Sequence, residues 1–491
     1  MPITTRKGET NEKFGTKHLN SDIIDVIVSE VSLMKILLVS PPSASAVKEV
    51  LGVSSPPLGL AYIASLLESE GEDVRIIDSI TENYTLEKID KEMEKWGPDI
   101  VGVTSVTPTF YDAIKVAKIA KMHGAITVLG GAHVTFMARE TLEKYPFVDF
   151  VVRGEGEYTM LQLVHCIEKG EEPHKILGLS YRSRSGIVKE NPPRPPIMNL
   201  DELPPPAYHL LPMDKYRFQG LKYATMITSR GCPFRCVFCA SSRICGKKWR
   251  GLSPERVVDE MEYLINEYGV RDIEFLDDTF TFDKKRALQI CDLIAKRGLD
   301  VRWICSSRVD IFDKELAQAL KKSGCEIVYF GVESGSQRVL NAMKKGITLK
   351  QAIRAVKNAK EAGLKNVASF ILGMPDETID EANMTINFAI KLNPDYAQFT
   401  ICTPFPGTEL YEYAVRNNLL LTRDWSKYNT LTPVMKTKIG VRTLKKLLSK
   451  AYLKFYTRIR YIIERIKNRE FVIVKNAIRG VLNYLRNYFY A

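Results

Sequence analysis

From Lys35 onward, short runs of β-branched and aliphatic residues alternate with segments whose apolar positions recur every three to four residues. The runs KILLVS, VRIID, DIVGVTS, ITVLGG and FVDFVVRGEGE end near residues 40, 78, 105, 131 and 157. Helical periods fill the intervals near 57 to 70, 85 to 96, 109 to 123 and 135 to 144, with another at 158 to 169. Five strands, each followed by a helix, predict a doubly wound parallel sheet of Rossmann type. Ligands of such sheets bind at the C-terminal strand ends. Those ends carry small or polar residues here: Ser40-Pro41-Pro42, Thr104-Ser105, Gly130-Gly131-Ala132-His133 and Gly154-Glu155-Gly156-Glu157.

A hairpin pattern, LSYRSRSGIVKEN, leads into a proline-rich stretch from Pro192 to Pro212. Proline restricts its own backbone and that of its neighbour, so this stretch reads as a stiff connector between domains. A second series follows: YATMITS, RDIEFLDD, VRWICSS, EIVYFGVES, KNVASFILGMP and DYAQFTICTP, separated by helical periods near 254 to 268, 283 to 297, 313 to 323, 349 to 362 and 380 to 391, with a last one near 408 to 418. Six such units are too few for a closed eight-fold barrel and predict a partial (βα)6 one, with its chemistry at the C-terminal mouth of the strands. The expected divisions are a polar extension at 1–33, a first domain at 34–190, a connector at 191–218, a second domain at 219–432 and a helical tail at 433–491.

Charge changes the picture only in the tail. From Lys436 to Ala491 there are fifteen Lys or Arg against two acids, leaving 55 against 56 in the rest of the 491 residues. Leu444, Leu448, Tyr452, Phe455, Ile459, Ile462, Ile463 and Ile466 form one apolar stripe, and Val474, Ile478, Val481, Leu482, Leu485 and Phe489 form another. Three readings stay open: a cap on the second domain, an interfacial helix at a membrane surface, or a nucleic-acid arm. The high apolar content and the aromatic end YLRNYFYA favour packing with peripheral membrane contact over nucleic acid. At 45% hydrophobic and 26% charged, the rest is ordinary globular protein. The N-terminus shows neither an apolar signal core nor a cleavage site, and no uncharged stretch is long enough to span a bilayer, so a cytoplasmic setting is expected.

Nine cysteines make a dilute set for a disulfide scaffold, and three crowd into the sequence GCPFRCVFCA. Cys232, Cys236 and Cys239 follow the first strand of the second series with the spacing C-x3-C-x2-C. Three thiolates can hold three irons of a cubane cluster and leave the fourth iron open. Structural zinc would need a fourth ligand, such as Cys245 or a histidine.

This triplet, at this place on a partial barrel, resembles the radical S-adenosylmethionine superfamily over about residues 220 to 430. The resemblance implies a 4Fe-4S cluster on Cys232, Cys236 and Cys239, whose open iron chelates S-adenosylmethionine. One-electron reduction then yields methionine and a 5′-deoxyadenosyl radical that abstracts hydrogen from an unactivated carbon. An electron donor such as ferredoxin or flavodoxin is implied as partner. By the same resemblance Phe238 lies against adenine, Glu333 of GVESGS accepts the ribose hydroxyls, and Ser306 and Arg308 of CSSRVD face the methionine moiety. Asp277 and Asp278 of FLDDTFTF stand opposite its amino group or face the substrate, and Gly373 of ILGMPDET shapes a strand end. Each carboxylate or arginine also has a plainer reading as an ion pair or a helix cap.

A doubly wound sheet ahead of such a barrel resembles the cobalamin-binding members of the superfamily. Pro57, Gly59, Thr104, Ser105, Gly130, Gly131, Gly154 and Glu155 then stand where those members embrace the corrin, the small residues allowing close approach of a flat macrocycle. The sequence has no D-x-H-x-x-G, so the histidine ligand of methionine synthase is missing. His133 is the one histidine near a ligand-side strand end, either as a cobalt ligand or as a hydrogen-bonding loop residue. The architecture also resembles anaerobic magnesium-protoporphyrin monomethyl ester cyclase. The implied function is carbon methylation, or oxidative or cyclising chemistry, on a small-molecule, lipid-like or tetrapyrrole-like substrate. The alternatives are a radical enzyme without cobalamin turnover, for example one that modifies tRNA, or a non-catalytic cofactor-binding module.

Overall fold

In the computed structural model, residues 33–43, 55–218 and 220–467 are described. The polar extension at 1–33, apart from its last residue, and the second apolar stripe of the tail lie outside the described residues. The first sheet contains β1 (Lys35–Ser40), β2 (Asp73–Asp78), β3 (Ile100–Thr104), β4 (Ile126–Gly130) and β5 (Phe150–Val152), in the order 2-1-3-4-5 and all parallel. The hairpin pattern adds β6 (Leu179–Arg182) and β7 (Val188–Glu190) antiparallel at the β5 edge. Ile36, Leu37, Leu38 and Val39 of β1 are all buried, because helices cover both faces of the sheet. Strand order reverses at β1, so the crevice between the ends of β1 and β3 is where ligands of doubly wound sheets lodge.

The second sheet contains β8 (Arg217–Phe218), β9 (Leu221–Met226), β12 (Asp272–Phe275), β13 (Arg302–Ser307), β14 (Cys325–Glu333), β15 (Lys365–Leu372) and β16 (Tyr396–Ile401), ordered 16-15-14-13-12-9-8. Its last six strands in sequence are parallel and each is followed by a helix, giving the open half-barrel that the pattern predicts. Between β9 and β12 a two-stranded ribbon, β10 (Ser229–Arg230) with β11 (Arg250–Gly251), brackets the cysteine loop. Its strands are too short to show in the apolar pattern. Ser253, Asp283, Asp313, Thr348, Thr378 and Thr408 each cap a helix by accepting a backbone N–H, about 1 kcal/mol apiece.

The described residues from Met34 onward form one compact unit whose main core runs through both sheets. The proline-rich stretch belongs to that core. Leu200, Leu203, Ala207, Tyr208, Leu211 and Met213 are buried, the Tyr208 hydroxyl meets Glu260 Oε1 at 2.9 Å, and just beyond the stretch the Tyr216 hydroxyl donates to Asp78 of β2 at 2.8 Å. The connector is therefore a strap packed across the molecule.

The described part of the tail answers one of the three readings. The helix Val441–Tyr456 lies on the half-barrel with Leu444, Leu447, Ala451 and Phe455 buried. It also closes the free edge of β16. Tyr452 Oη accepts Phe399 N–H and donates to Phe399 C=O, and Tyr456 Oη does the same for Ala397, at 2.9 to 3.2 Å. Two hydroxyls one helical turn apart thus match two strand residues two apart, and an edge that would recruit another strand is satisfied. The chain then breaks at Thr457. In the next helix, Ile459–Lys467, Tyr461 and Arg465 turn inward while Ile459, Ile463 and Ile466 stay exposed, so the single stripe read from the sequence divides between core and solvent.

Candidate active site at the facing strand ends

Gly231, with φ of +88°, starts the cysteine loop, and a Cβ there would lie 2.3 Å from the Lys248 carbonyl oxygen. The close approach lets Cys232 N–H donate to the Gly246 carbonyl at 3.2 Å. Cys232, Cys236 and Cys239 are free and half-buried. Burial pushes the Cys232 thiol up to about 11, and burial also raises Cys236, against the pull of the Lys345 and Arg308 cations. Thiols in this state bind metal as protons leave, and two fixed cations compensate the anionic sulfurs. Three soft thiol donors on one ten-residue loop fit an iron–sulfur cluster.

Around this loop the half-barrel presents charge held in advance. Glu333 ends β14 with φ of +67° and pairs with Lys345 Nζ at 2.7 Å, both side chains nearly inaccessible. A side chain at Gly331 would fall 2.4 Å from Glu333 Oε1, so glycine makes room for the pair. Arg308 lies 3.5 Å over the Phe234 ring, forks onto Asp310 at 3.0 and 3.1 Å, and donates to the Lys345 carbonyl at 2.9 Å. Lys345 stands 6.0 Å from the Phe238 ring, and Phe238 packs on the small cluster of Val237, Met343 and Met374. Lys345 had no signal in the sequence beyond its place after the GVESGS strand end.

Several expected positions have other work. Asp277 is buried with its carboxylate consumed by Thr228 N–H at 2.6 Å, Thr228 Oγ1 at 2.7 Å and Ser229 Oγ at 2.5 Å, so it holds the approach to the cysteine loop and does not face a ligand. Ser306 Oγ donates to the Asp277 carbonyl at 2.6 Å and supports the same turn. Asp278, next along, is the exposed carboxylate of the pair. Gly373 has φ of +90°, and a Cβ there would meet Leu444 of the tail helix at 2.6 Å. Its N–H and that of Met374 are fixed by Glu377, whose carboxyl burial raises to about 7 against those two N–H donors. Cys305 and Cys402, near strand ends, are buried and point to no open surface.

The first sheet offers backbone and small side chains at its mouth. Gly131 has φ of +97°, and a Cβ there would strike Ser105 O at 2.5 Å, Ser105 N at 2.8 Å and Thr104 Oγ1 at 3.0 Å. Ser105 N–H in turn donates to the Gly130 carbonyl at 2.9 Å, which locks the ends of β3 and β4 together. Pro57 starts the helix Leu58–Ser69, and among the described residues nothing lies within 4 Å of where a Cβ on Gly59 would stand. Gly154 N–H donates to Thr135 Oγ1 at 3.1 Å. His133 does not face the mouth. Its ring is buried between Phe110 at 4.3 Å and Trp425 at 5.1 Å, its Nδ1 pairs with Thr107 Oγ1 at 3.2 Å, and burial lowers its pKa to about 4. This placement favours the hydrogen-bonding reading of His133 over the cobalt-ligand one. The Glu155 carboxylate is likewise committed, to Arg250 of the cysteine ribbon at 2.6 Å.

The two mouths face one another across a cavity of about 430 Å³. Val106, Thr107, Pro108, Ala132 and Phe136 line it from the first sheet, and Phe238, Cys239, Ala240, Phe405 and Pro406 from the half-barrel. A Cβ at Gly407 would enter the Phe136 ring, so the loop after β16 is glycine where it meets the first domain. A cavity bounded by a cluster thiol on one wall and by small-residue strand ends on the other can bring two cofactors to one substrate.

Sequence comparisons agree with this geometry. Residues 226–389 match the radical SAM superfamily and residues 44–164 match the B12 binding domain. The chain is 53% identical over 455 residues to an uncharacterized methyltransferase of Pyrococcus horikoshii, covering 92% of this chain and 99% of that one. It is 33% identical over 413 residues to the anaerobic magnesium-protoporphyrin IX monomethyl ester cyclase of Rubrivivax gelatinosus, covering 82% and 74%. The fold matches the cobalamin-dependent S-adenosylmethionine radical enzyme OxsB with a TM-score of 0.72 at 19% identity, over 91% of this chain and 72% of that one. It matches the radical S-adenosylmethionine methyltransferase TsrM of Kitasatospora setae at 0.66 and 20%, over 78% and 75%. With both domains matched, and relatives above 30% identity aligned across most of their length, this chain belongs to the cobalamin-dependent radical S-adenosylmethionine enzymes, of the methyltransferase or oxidative cyclase type, and takes a 4Fe-4S cluster, S-adenosylmethionine and cobalamin as cofactors.

Proposed function

We propose that the chain methylates an unactivated carbon of a hydrophobic, lipid-like or tetrapyrrole-like small molecule. The observation that carries this reading is the cavity between the two mouths, whose walls are almost wholly apolar. When bound, the cluster with S-adenosylmethionine supplies hydrogen-abstracting radical chemistry and cobalamin supplies the methyl group. The polypeptide's part is placement. Cys232, Cys236 and Cys239 hold the iron. Phe238 would offer a face to adenine, Glu333 would accept the ribose hydroxyls, Arg308 would bind the methionine carboxylate, and Asp278 would hold the amino group. Pro57, Gly59, Thr104, Ser105, Gly130, Gly131 and Gly154 would form the floor under a corrin, and Phe136, Phe405 and Pro406 would exclude water from the gap. The working divisions are 34–190 for cobalamin, 191–218 for the strap, 219–432 for the radical core and 433–491 for the tail.

A second reading, oxidation or ring closure by the same machinery, is supported by the 33% identity to the cyclase. Among the described residues no helix is long and apolar enough to cross a membrane. Ile459, Ile463 and Ile466, exposed beside Arg460 and Lys467, instead support a cytoplasmic enzyme whose tail touches an anionic bilayer while a reduced ferredoxin or flavodoxin delivers electrons. Protein grown with cobalamin and reconstituted anaerobically tests the function. Corrin absorption together with dithionite-dependent release of 5′-deoxyadenosine is the expected result, and comparison of lipids and pigments between wild-type and deletion strains then identifies a product differing by one methyl group. A cluster that never cleaves S-adenosylmethionine would reject the reading. Sedimentation with anionic but not neutral vesicles checks the membrane contact.

A further inference from the structure

The ribbon that carries the cysteine loop contains two arginines in direct register, Arg230 of β10 opposite Arg250 of β11. Like charges facing each other across an antiparallel pair repel, and these two side chains are 9% and 2% exposed. Both are neutralised by the first domain. Glu157 meets Arg230 at 2.7 Å, and Glu155 grips Arg250 through both oxygens at 2.6 and 3.1 Å, each carboxylate about 5% exposed. Tyr62, also of the first domain, lies 4.9 Å below the Arg230 guanidinium. The same knot ties in the strap, whose Ile197 N–H donates to Glu155 at 2.7 Å, and the loop itself, whose Cys245 carbonyl accepts from Arg250 at 2.6 Å. Arg230 is followed directly by Gly231 and Cys232, so whatever fixes the ribbon fixes the first cluster ligand.

We infer that Glu155 and Glu157 are positioning residues for the iron–sulfur cluster: the strand end of the cobalamin domain clamps the stem of the cysteine loop, so that the loop reaches its cluster-binding shape only with the first domain in place. The inference rests on the family reading for the presence of a cluster. The alternation in GEGE has a reason in this geometry, since two glutamates two residues apart reach two arginines that sit side by side on neighbouring strands. The clamp also fixes the span between the two mouths.

The test uses the full chain, anaerobically, as wild type, as the double variant E155Q/E157Q, and as the quadruple variant E155Q/E157Q/R230Q/R250Q. Hydrogen exchange is followed in the iron-free protein, and retained iron is counted after reconstitution and desalting. In the double variant, exchange rises across residues 229–251 while the strands of the first sheet stay protected, and retained iron falls about tenfold, because two buried arginines face each other uncompensated. The quadruple variant removes the repulsion and recovers most of the iron. Wild-type exchange and iron in the double variant would overturn the clamp, as would a quadruple variant no better than the double, or loss of protection in both sheets alike. A wild-type chain that takes up no iron overturns the cluster itself, a result that the exchange pattern of the iron-free protein separates from failure of the clamp.

Discussion

At the mouth of the first sheet the chain makes room, whereas at the mouth of the half-barrel it makes charge. Gly130, Gly131 and Ser105 bring backbone to backbone, with van der Waals contact and hydrogen bonds from the Ser105 N–H and hydroxyl to the Gly130 carbonyl holding the ends of β3 and β4. Cys236, Glu333, Lys345, Arg308 and Asp310 crowd the other mouth, each charge paired before any ligand arrives. The difference follows from what each must hold. A corrin is broad and flat and needs clearance for its face, whereas the charged amino-acid end of a sulfonium cofactor needs donors and acceptors in fixed places. The cost also differs: clearance is bought with backbone strain at one or two glycines, while preset charge requires every buried ion to have its partner.

Substitutions at four places sharpen that contrast, the largest effect first. Replacing any of Cys232, Cys236 or Cys239 by alanine reduces S-adenosylmethionine cleavage to background while the first domain still retains corrin, as read by 5′-deoxyadenosine yield and visible absorption. A single cysteine variant that still cleaved the cofactor would break the contrast at its root. Lys345→Met leaves the Glu333 carboxylate buried without its partner and costs about 3–5 kcal/mol of stability, visible in anaerobic denaturant unfolding, along with weakened S-adenosylmethionine binding.

Glu377 gives a pH signature. Its folded pKa, about 7, lies above the usual carboxyl value, so its protonated form favours the fold below about pH 4.5 and that contribution is lost as pH rises through 7. Glu377→Gln, which can still accept the Gly373 and Met374 N–H groups, removes a decline of up to about 3 kcal/mol between pH 4.5 and 7. Unfolding midpoints across that range check it. Gly131→Ala, at the uncharged mouth, costs about 1–3 kcal/mol through the left-handed backbone and the Ser105 contact, and weakens cobalamin retention without changing iron content. An iron loss as large as the corrin loss would show that the two mouths are not separable.

Much of this was legible in the sequence because parallel strands buried on both faces are written as continuous aliphatic runs, and the half-barrel helices open on Ser, Thr or Asp caps. KILLVS became β1 and the helix at 254 to 268 kept both predicted ends. The cysteine loop was legible because thiol spacing is local. What escaped depends on pairing across distance. Arg230 and Arg250 stand twenty residues apart, on strands of two residues that no period can reveal, and their partners lie in another domain. Lys345 reads as one lysine among many until β14 and the cysteine loop enclose it. His133 and Asp277 misled for the converse reason: each is at a strand end, but Phe110 with Trp425, and Thr228 with Ser229, turn them inward. The single apolar stripe of the tail hid a break at Thr457 that sends one half to the barrel edge and the other to solvent.

Electron paramagnetic resonance of the anaerobically reduced protein, recorded without and then with S-adenosylmethionine, bears most directly on the central claim that Cys232, Cys236 and Cys239 leave one iron of a cubane cluster open to the cofactor. The account predicts a 4Fe-4S signal whose g values move when S-adenosylmethionine is added. A cluster signal indifferent to the cofactor, or a diamagnetic zinc centre with no signal at all, would contradict it.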